Sequence, residues 1–506
     1  MFRIKSIMNE GRDKIYVHDI SEDSGNNYYS ILTGDNASGK SSLLSKAINF
    51  FLFSNKRDEF LEPAIELSSC SESYPSKIIA LCNSRFDKFT SKNFLKTKDN
   101  QRKTIASMNY IHPELSDNSR RGISGIVDQC LKNTLRNTNA TSIDKSNQVQ
   151  EAFSMFGLQS HLHLKCVLDT KNITYILAII SGLINGQMIL SDESIKHARK
   201  SRYLQDEELK NRNIKLDESI AIICRESENK LTLDVLCDIL LMLEAGKFPE
   251  ENLNDIYFSV AKGRVYSERK SLVYDFNGID IIKYLFILDV INVSDFQVMH
   301  LNTQKEVSII SLSSGQITLF GHAIVLSSFA EKNCMVCIDE PENSLHPEWQ
   351  LNFMRFISLL CPDTLGAHIF IATHSPQIIS GMRFDNGCVL SLVNRDNIEL
   401  LKITDKKDDN GGLYELQPLK IYREQSADKQ LTGVFKSPGY KNDFIIRKLL
   451  LILSKASKKI NFTKNDDEFI GEIVILFEKK RIPEGDPVQL LFKQVLSFQK
   501  ARNSDD

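Results

Sequence analysis

The sequence predicts an α/β fold: a mixed sheet with helices and an antiparallel flap, split by a mostly helical insertion and followed by a helical tail. Three observations carry that expectation. A glycine-rich turn, Gly34-Asp35-Asn36-Ala37-Ser38-Gly39-Lys40-Ser41, joins a short apolar strand to an apolar-periodic helix. Apolar strands alternate with helices from Ile317 to Pro376, which implies a parallel sheet covered on both faces. Between those two regions, from about 91 to 295, the chain changes character.

The elements follow in order. Phe2 to Ile7 and Lys14 to His18 alternate apolar and polar residues, so they read as strands joined by a turn over Asn9 to Asp13. Arg12, Tyr16 and His18 could contact a nucleotide base, or be ordinary sheet residues. Tyr29 to Leu32 is the strand before the glycine turn, and Leu43, Leu44, Ala47 and Ile48 give the helical repeat after it. Such a turn aims backbone N–H groups and a helix N-terminus into one small space, which suits phosphate. Gly34 and Gly39 permit the bend, Lys40 is expected to reach the outer phosphates, and Ser41 to ligate Mg²⁺. Asn36, Ala37, Ser38, Gly39, Lys40, Ser41 and Ser42 are therefore the first candidate ATP contacts. The bland alternative is a glycine turn between two core elements.

Lys77 to Asn83 is a further buried strand, and residues 1–90 form the expected first lobe. The insertion, 91–295, is rich in Asn, Ser, Lys and Arg to about 145 and then shows helical periodicity, as over Leu231 to Leu243. No heptad repeat persists, which argues against a long coiled-coil arm. Local basic groups occur at Lys96, Lys98, Arg102 and Lys103, at Arg120 and Arg121, at Lys196 to Arg202, and at Lys262, Arg264, Arg269 and Lys270. Each reads as a solvated face; together they make a surface for DNA or an RNA–DNA hybrid conceivable.

The second lobe is expected over 296–411. Ser313, Ser314, Gly315 and Gln316 precede a helix that is apolar almost all round, and offer a second phosphate-binding helix N-terminus. One nucleotide does not need two such devices from one chain, so the economical arrangement is a homodimer, or higher oligomer, with ATP at the interface. Cys334 to Ile338 is a strand ending in Asp339 and Glu340, at the edge where open parallel sheets bind ligands. Asp339 is expected to hold Mg²⁺, Glu340 to polarise an attacking water, and His374, at the end of the strand from His368, to contact the γ-phosphate.

Composition bounds the rest. The 506 residues are 42% hydrophobic and 25% charged, and a net charge of −2 gives no global pull toward nucleic acid or membrane. The most apolar run, Ile173 to Ile184, is too short to cross a bilayer, and Met1 to Lys5 lacks the apolar core of a secretory signal. Ten cysteines without framework spacing suit a reducing cytosol, so a cytoplasmic, membrane-free protein is expected. Cys334 and Cys337 form a CxxC pair inside an apolar strand, which favours buried small hydrophobes over zinc ligands.

The loop at Gly34 to Ser41, Leu312 to Gln316, Cys334 to Glu340, Ser344-Leu345-His346-Pro347 and His374 together resemble the Walker A, signature, Walker B, D-loop and switch histidine of ABC-type ATPases. The flap, the split domain and the stretch Asp339 to Pro347 look like the RecF/SMC/OLD-like branch rather than transporter subunits. The resemblance implies a split ABC-type ATPase head that uses ATP and Mg²⁺. Two departures stand out: the signature has Ser314 where glycine is usual, and the Q-loop glutamine cannot be placed, Asn83, Asp87 and Gln101 being candidates.

The tail, 412–506, is expected to be helical and to offer a partner-binding region. Phe86 to Phe89 together with Val434 to Tyr440 is similar to PtuA-type ATPases of antiphage systems, Septu or retron-associated. That resemblance implies an ATPase that assembles with and regulates an HNH-type nuclease. An OLD-type enzyme with its own nuclease would need clustered carboxylates, usually including DxD; none follows His374, and Asp408-Asp409 and Asp466-Asp467-Glu468 read as polar loop runs. A transporter subunit is disfavoured by the insertion, and a RecF/SMC-like DNA-repair ATPase acting directly on DNA is the alternative function.

Overall fold

In the computed structural model the described residues are 2–8, 14–17, 25–34, 38–53, 65–68, 74–82, 89, 110–113, 120–137, 143–170, 173, 176–177, 180, 219–220, 223, 230–247, 253, 255–267, 281–383, 386–392, 414–422, 425–435, 437–458, 460–478 and 482–503. They fall into two compact units, 1–116 with 330–506, and 117–329.

The chain opens with β1 (Ile4–Met8), β2 (Lys14–Tyr16), β3 (Tyr28–Gly34), α1 (Lys40–Phe53), β4 (Ile65–Leu67), β5 (Ile78–Cys82) and β6 (Tyr110–Ile111). The second unit then supplies α2 (Arg120–Arg136), α3 (Ile143–Ser154), β7 (Leu158–Leu168), α4 (Lys230–Glu244), β8 (Ile256–Ser259), β9 (Arg264–Ser267), α5 (Ile281–Ile287), β10 (Ile291–His300), β11 (Glu306–Ser308) and α6 (Ser314–Phe329). The first unit resumes with β12 (Met335–Asp339), α7 (Pro347–Leu360), β13 (His368–Ala372), α8 (Pro376–Ser380), β14 (Gly387–Leu392) and β15 (Tyr414–Pro418). Four helices follow: α9 (Ala427–Gly433), α10 (Asp443–Ser457), α11 (Lys464–Glu478) and α12 (Pro487–Asn503).

In the first unit a seven-stranded sheet has the order β15-β14-β3-β13-β12-β5-β6. Every neighbouring pair is parallel except β14 with the edge strand β15. Each residue of β5, β12, β13 and β14 is buried, as the continuous apolar runs require when both faces are covered. The register aligns Leu32, Ala372, Asp339 and Cys82 across four strands, so the loops after β3, β12 and β13 leave one edge of the sheet together.

The expected flap is present and gains a third strand: β2-β1-β4, antiparallel throughout. Phe2, Ile4, Ile7 and Val17 bury against Leu43, Leu44 and Phe51 of α1. Burial of apolar area on this scale supplies most of the attachment. Two polar devices fix its register. Arg3 is buried, and its guanidinium donates to the carbonyls of Phe2, Asn26 and Gly366. The Nδ1 of His368 accepts from the N–H of Ile4 at 3.1 Å, so its proton sits on Nε2, 2.9 Å from the Ser30 hydroxyl, which in turn donates to Val17 O.

In the second unit the described helices are accompanied by an antiparallel sheet that the helical reading of 91–295 does not include. Five strands form an antiparallel sheet of order β11-β10-β7-β8-β9. Its buried residues include Leu162, Leu164, Ile256, Phe258, Phe296 and Val298, and Phe296 stacks on Phe320 of α6 at 5.4 Å. Lys132 is buried on α2 and fully engaged: it bonds Asp128 at 2.8 Å, Asp289 at 2.7 Å and Asn292 at 2.6 Å. Asp128 also accepts from the N–H of Val293, tying α2 to β10. The helix over Leu231 to Leu243 is present as α4. Residues 296–329, expected in the second lobe, belong to this unit.

The tail begins within the main sheet as β15, and α10, α11 and α12 share a core that includes Leu449, Ile452, Phe469, Ile473 and Phe492. Asp466 and Asp467 lie in the first turn of α11 rather than in a loop. Asp466 accepts from the Thr463 N–H and hydroxyl and from Lys455 Nζ at 2.6 Å, a helix-capping arrangement that holds its carboxyl at about 2 despite burial. Asp408 and Asp409 lie outside the described residues. Among the described residues no helix is long and apolar enough to cross a membrane.

Candidate nucleotide-binding site

β3 delivers the glycine turn to the sheet edge, and its backbone demands glycine. At Gly34, φ is 145°, and a Cβ would lie 2.2 Å from Leu392 O and 2.8 Å from Ser38 Oγ. Gly39 has φ 95°, a region side chains rarely adopt. Asp35, Asn36 and Ala37 lie outside the described residues. α1 begins at Lys40, with its first backbone bond from Leu43 N to Gly39 O at 2.9 Å. The Lys40 ammonium folds back on the turn, donating to Gly34 O at 3.2 Å and Ser38 Oγ at 3.4 Å. Ser41 and Ser42 follow in the first turn, both half-exposed.

Ser41 donates to the carboxylate of Asp339, which ends β12. Burial pushes the Asp339 carboxyl up to about 6; the Ser41 bond and the Lys40 charge oppose this, while Glu340 and Glu342 add to it. Its other oxygen, Oδ1, is buried with no hydrogen-bond partner among the described residues. An orphaned carboxylate oxygen beside a hydroxyl is a donor set that fits Mg²⁺, which takes few protein oxygens and completes its shell with phosphate and water. Among the described residues no group of three or more His, Cys, Asp or Glu side chains could hold a metal ion. Cys334 and Cys337 are wholly buried, and burial raises both thiols, Cys334 to about 11.

The turn after Asp339 is strained. Glu340 has φ 47° and Ser344 φ 69°, both left-handed and both without the freedom of glycine. Two contacts hold Glu340 there: its N–H donates to Ala372 O at 2.9 Å, and its Oε2 accepts from Asn343 Nδ2 at 2.9 Å. Glu342 is mostly buried and accepts from the Thr373 hydroxyl at 2.8 Å and from the His374 N–H. His374 is half-exposed just past the end of β13, beside the loop that carries Glu340. His346 caps α7, its Nδ1 accepting from the Glu348 N–H at 3.4 Å.

The signature residues occupy the N-terminus of α6 in the second unit. Ser313 and Ser314 are exposed, Gly315 is buried and Gln316 half-buried. Ser313 and Gln316 bond reciprocally: Gln316 N donates to Ser313 Oγ at 3.3 Å, and Ser313 N to Gln316 Oε1 at 3.1 Å. This is a capping box, and a Ser-x-x-Gln spacing predicts it as readily as it predicts a phosphate contact. Gln316 Nε2 also donates to Phe156 O at 3.1 Å.

The structure thus brings Lys40, Ser41, Asp339, Glu340 and His374 to one sheet edge within the first unit. Asn83, Asp87 and Gln101 lie outside the described residues, as do most of the basic clusters. Lys262 and Arg264 are exposed around the β8–β9 turn, where burial first and then their charges hold the His161 imidazole below its usual pKa. Two residues that sequence reasoning gave no role, Glu342 and Asn343, hold the His374 backbone and the Glu340 carboxylate, and Thr373 supports Glu342. Their signal is the run Pro341-Glu342-Asn343 directly after the acid pair.

Residues 248–380 match the family described as "AAA domain, putative AbiEii toxin, Type IV TA system". The matched span holds Ser313, Asp339, Glu340 and His374 and supports an ATP-binding ATPase of AAA type; the glycine turn at Gly34 to Ser41 precedes it. Curated proteins give no match. Among solved structures the chain is similar to the Smc head domain with an extended coiled coil bound to the C-terminal domain of ScpA, from Pyrococcus furiosus. That likeness has 10% identity, covers 83% of this chain and 98% of that one, and has a TM-score of 0.29, too slight to carry an argument.

Proposed function

We propose that the protein is a Mg²⁺-dependent ATPase of the ABC type whose copies pair around ATP and whose nucleotide state regulates an HNH-type nuclease in antiphage defence. The observation that carries the ATPase reading is the Ser41–Asp339 hydrogen bond, with Lys40 on the same turn. It links the residues before and after the insertion at the edge where parallel sheets take ligands. The glycine turn and the N-terminus of α1 receive the phosphates, and Lys40 exchanges its bonds to Gly34 and Ser38 for phosphate oxygens. Ser41 and Asp339 are the residues that would hold Mg²⁺, which offsets phosphate charge when bound. Glu340, held by Asn343, polarises the attacking water, and His374 faces the γ-phosphate. Exposure of Ser313 and Ser314 supports their reaching the ATP of a second copy, with hydrolysis reopening the pair.

The partner reading rests on the resemblance of Phe86 to Phe89 and Val434 to Tyr440 to PtuA-type ATPases. It is supported by the tail, where α10 and α12 expose Leu450, Leu451, Leu490 and Phe498 around their own core. Purification from native cells, with and without ATP, tests it. A nuclease retained in a nucleotide-dependent manner supports the proposal; stable DNA without a nuclease instead points to a repair ATPase.

A further inference from the structure

The geometry points to Glu342 as a positioning residue that sets His374 against Glu340, an inference that rests on the ATPase reading above. Glu342 uses both carboxylate oxygens on one short stretch of chain. Oε2 accepts from the Thr373 hydroxyl at 2.8 Å, and Oε1 accepts from the backbone N–H of His374. The Thr373 oxygen accepts in turn from the N–H of Ser375 at 2.9 Å. One carboxylate therefore fixes the backbone on both sides of His374, directly at its own nitrogen and through a hydroxyl at the next. The same hydroxyl orients Ser375, whose side chain caps α8 and donates to Gln350 at 2.6 Å. Thr373 N donates to Leu32 O at 2.9 Å, which ties this corner to β3, two residues before the phosphate turn.

The neighbouring residue performs the matching task on the other side. Asn343 holds the Glu340 carboxylate, and the Glu340 N–H is anchored to Ala372, the last residue of β13. Consecutive residues thus grip the two groups that the proposed hydrolysis needs, Glu342 the histidine and Asn343 the glutamate. A mostly buried carboxylate near the Glu340 charge is costly to keep, since lost water first and that like charge second oppose it. Two donors filling its two oxygens are the compensation, and glutamine, with one acceptor oxygen, can satisfy only one of them.

The test compares full-length wild type with Glu342→Gln, Thr373→Val and Thr373→Ser in steady-state ATP hydrolysis, with ATP affinity measured separately. A misplacement of His374 by about an ångström predicts a kcat loss on the order of 10²-fold for Glu342→Gln with KM for ATP and affinity unchanged. Thr373→Val falls in the same direction, Thr373→Ser restores most of the rate, and the Glu342→Gln/Thr373→Val double variant loses no more than the worse single one. Glu342→Gln turning over at the wild-type kcat, or Thr373→Ser behaving like Thr373→Val, overturns the inference. So does a loss of ATP affinity that accounts for the whole loss of rate. If Glu342→Gln does not fold, the Thr373 pair decides alone. A wild-type protein that does not hydrolyse ATP would instead fail the ATPase reading itself.

Discussion

The hydroxyl of Ser41 donates to the carboxylate of Asp339, so the first turn of α1 and the tip of β12 meet although the second unit separates them in sequence. Asp339 is left with one oxygen satisfied and one, in a buried position, without a partner among the described residues. That is a destabilising arrangement for the protein alone, and a useful one for a protein that binds a cation there.

The first prediction follows from that cost. Asp339 has a folded pKa of about 6, above the ordinary carboxylate value, so the native state holds its proton more tightly than the unfolded chain. The resulting penalty is fully present above pH 6 and is relieved as pH falls toward 4. Asp339→Asn should therefore stabilise the metal-free protein by about 3 kcal/mol at pH 7.5 and by little at pH 4, while abolishing the extra stability conferred by Mg²⁺ and ATP. Urea unfolding at both pH values, with and without MgATP, measures this.

Ser313 separates a structural cap from a catalytic contact. Ser313→Ala removes the acceptor for Gln316 N and should cost about 1 kcal/mol of stability. If Ser313 also reaches ATP on a second copy, hydrolysis should fall by more than tenfold under conditions where the variant remains folded. Calorimetry paired with steady-state kinetics on one preparation distinguishes the two.

Lys132 tests the second unit. It satisfies Asp128, Asp289 and Asn292 at once, so Lys132→Met takes the nearest cation from two partly buried carboxylates, leaving Asp128 the Val293 N–H and Asp289 the Arg136 guanidinium at 3.8 Å. The expected loss is about 3–5 kcal/mol, read as a lower denaturation midpoint. Replacing Asp128 by Asn in the same background should recover part of it.

His322 predicts an acid sensitivity. It is fully buried in α6, and burial lowers its pKa to about 4. The unfolded chain takes up a proton near pH 6.5 while the native chain does not, so stability is intact above 6.5 and is lost as pH falls toward 4. The loss approaches about 3 kcal/mol. His322→Leu should flatten that limb of the pH–stability curve without shifting the neutral value by as much.

The readable parts of the sequence were those whose chemistry is local. The strand–glycine turn–helix at Tyr28 to Phe53, the acid pair ending an apolar strand, and the helix after Ser313 each announce themselves within a dozen residues. The sheet order was not readable, because β3 pairs with β13 and β14 across the whole second unit and no local pattern encodes that choice. The five-stranded sheet does carry a local signal: Leu158, Ser160, Leu162 and Leu164 alternate with Gln159, His161, His163 and Lys165, a strand period set between helical stretches. Glu342 was hidden differently, since its role exists only once β13 lies beside β12, whereas Asn343 bonds Glu340 three residues away.

The most direct measurement of the central claim is ATP turnover, ATP binding and assembly state for wild type, Lys40→Ala and Glu340→Gln in the presence of Mg²⁺. The account predicts that Lys40→Ala loses nucleotide binding, while Glu340→Gln keeps ATP, slows hydrolysis by at least 10²-fold and accumulates as a closed dimer. Wild-type hydrolysis rates in both variants would contradict it.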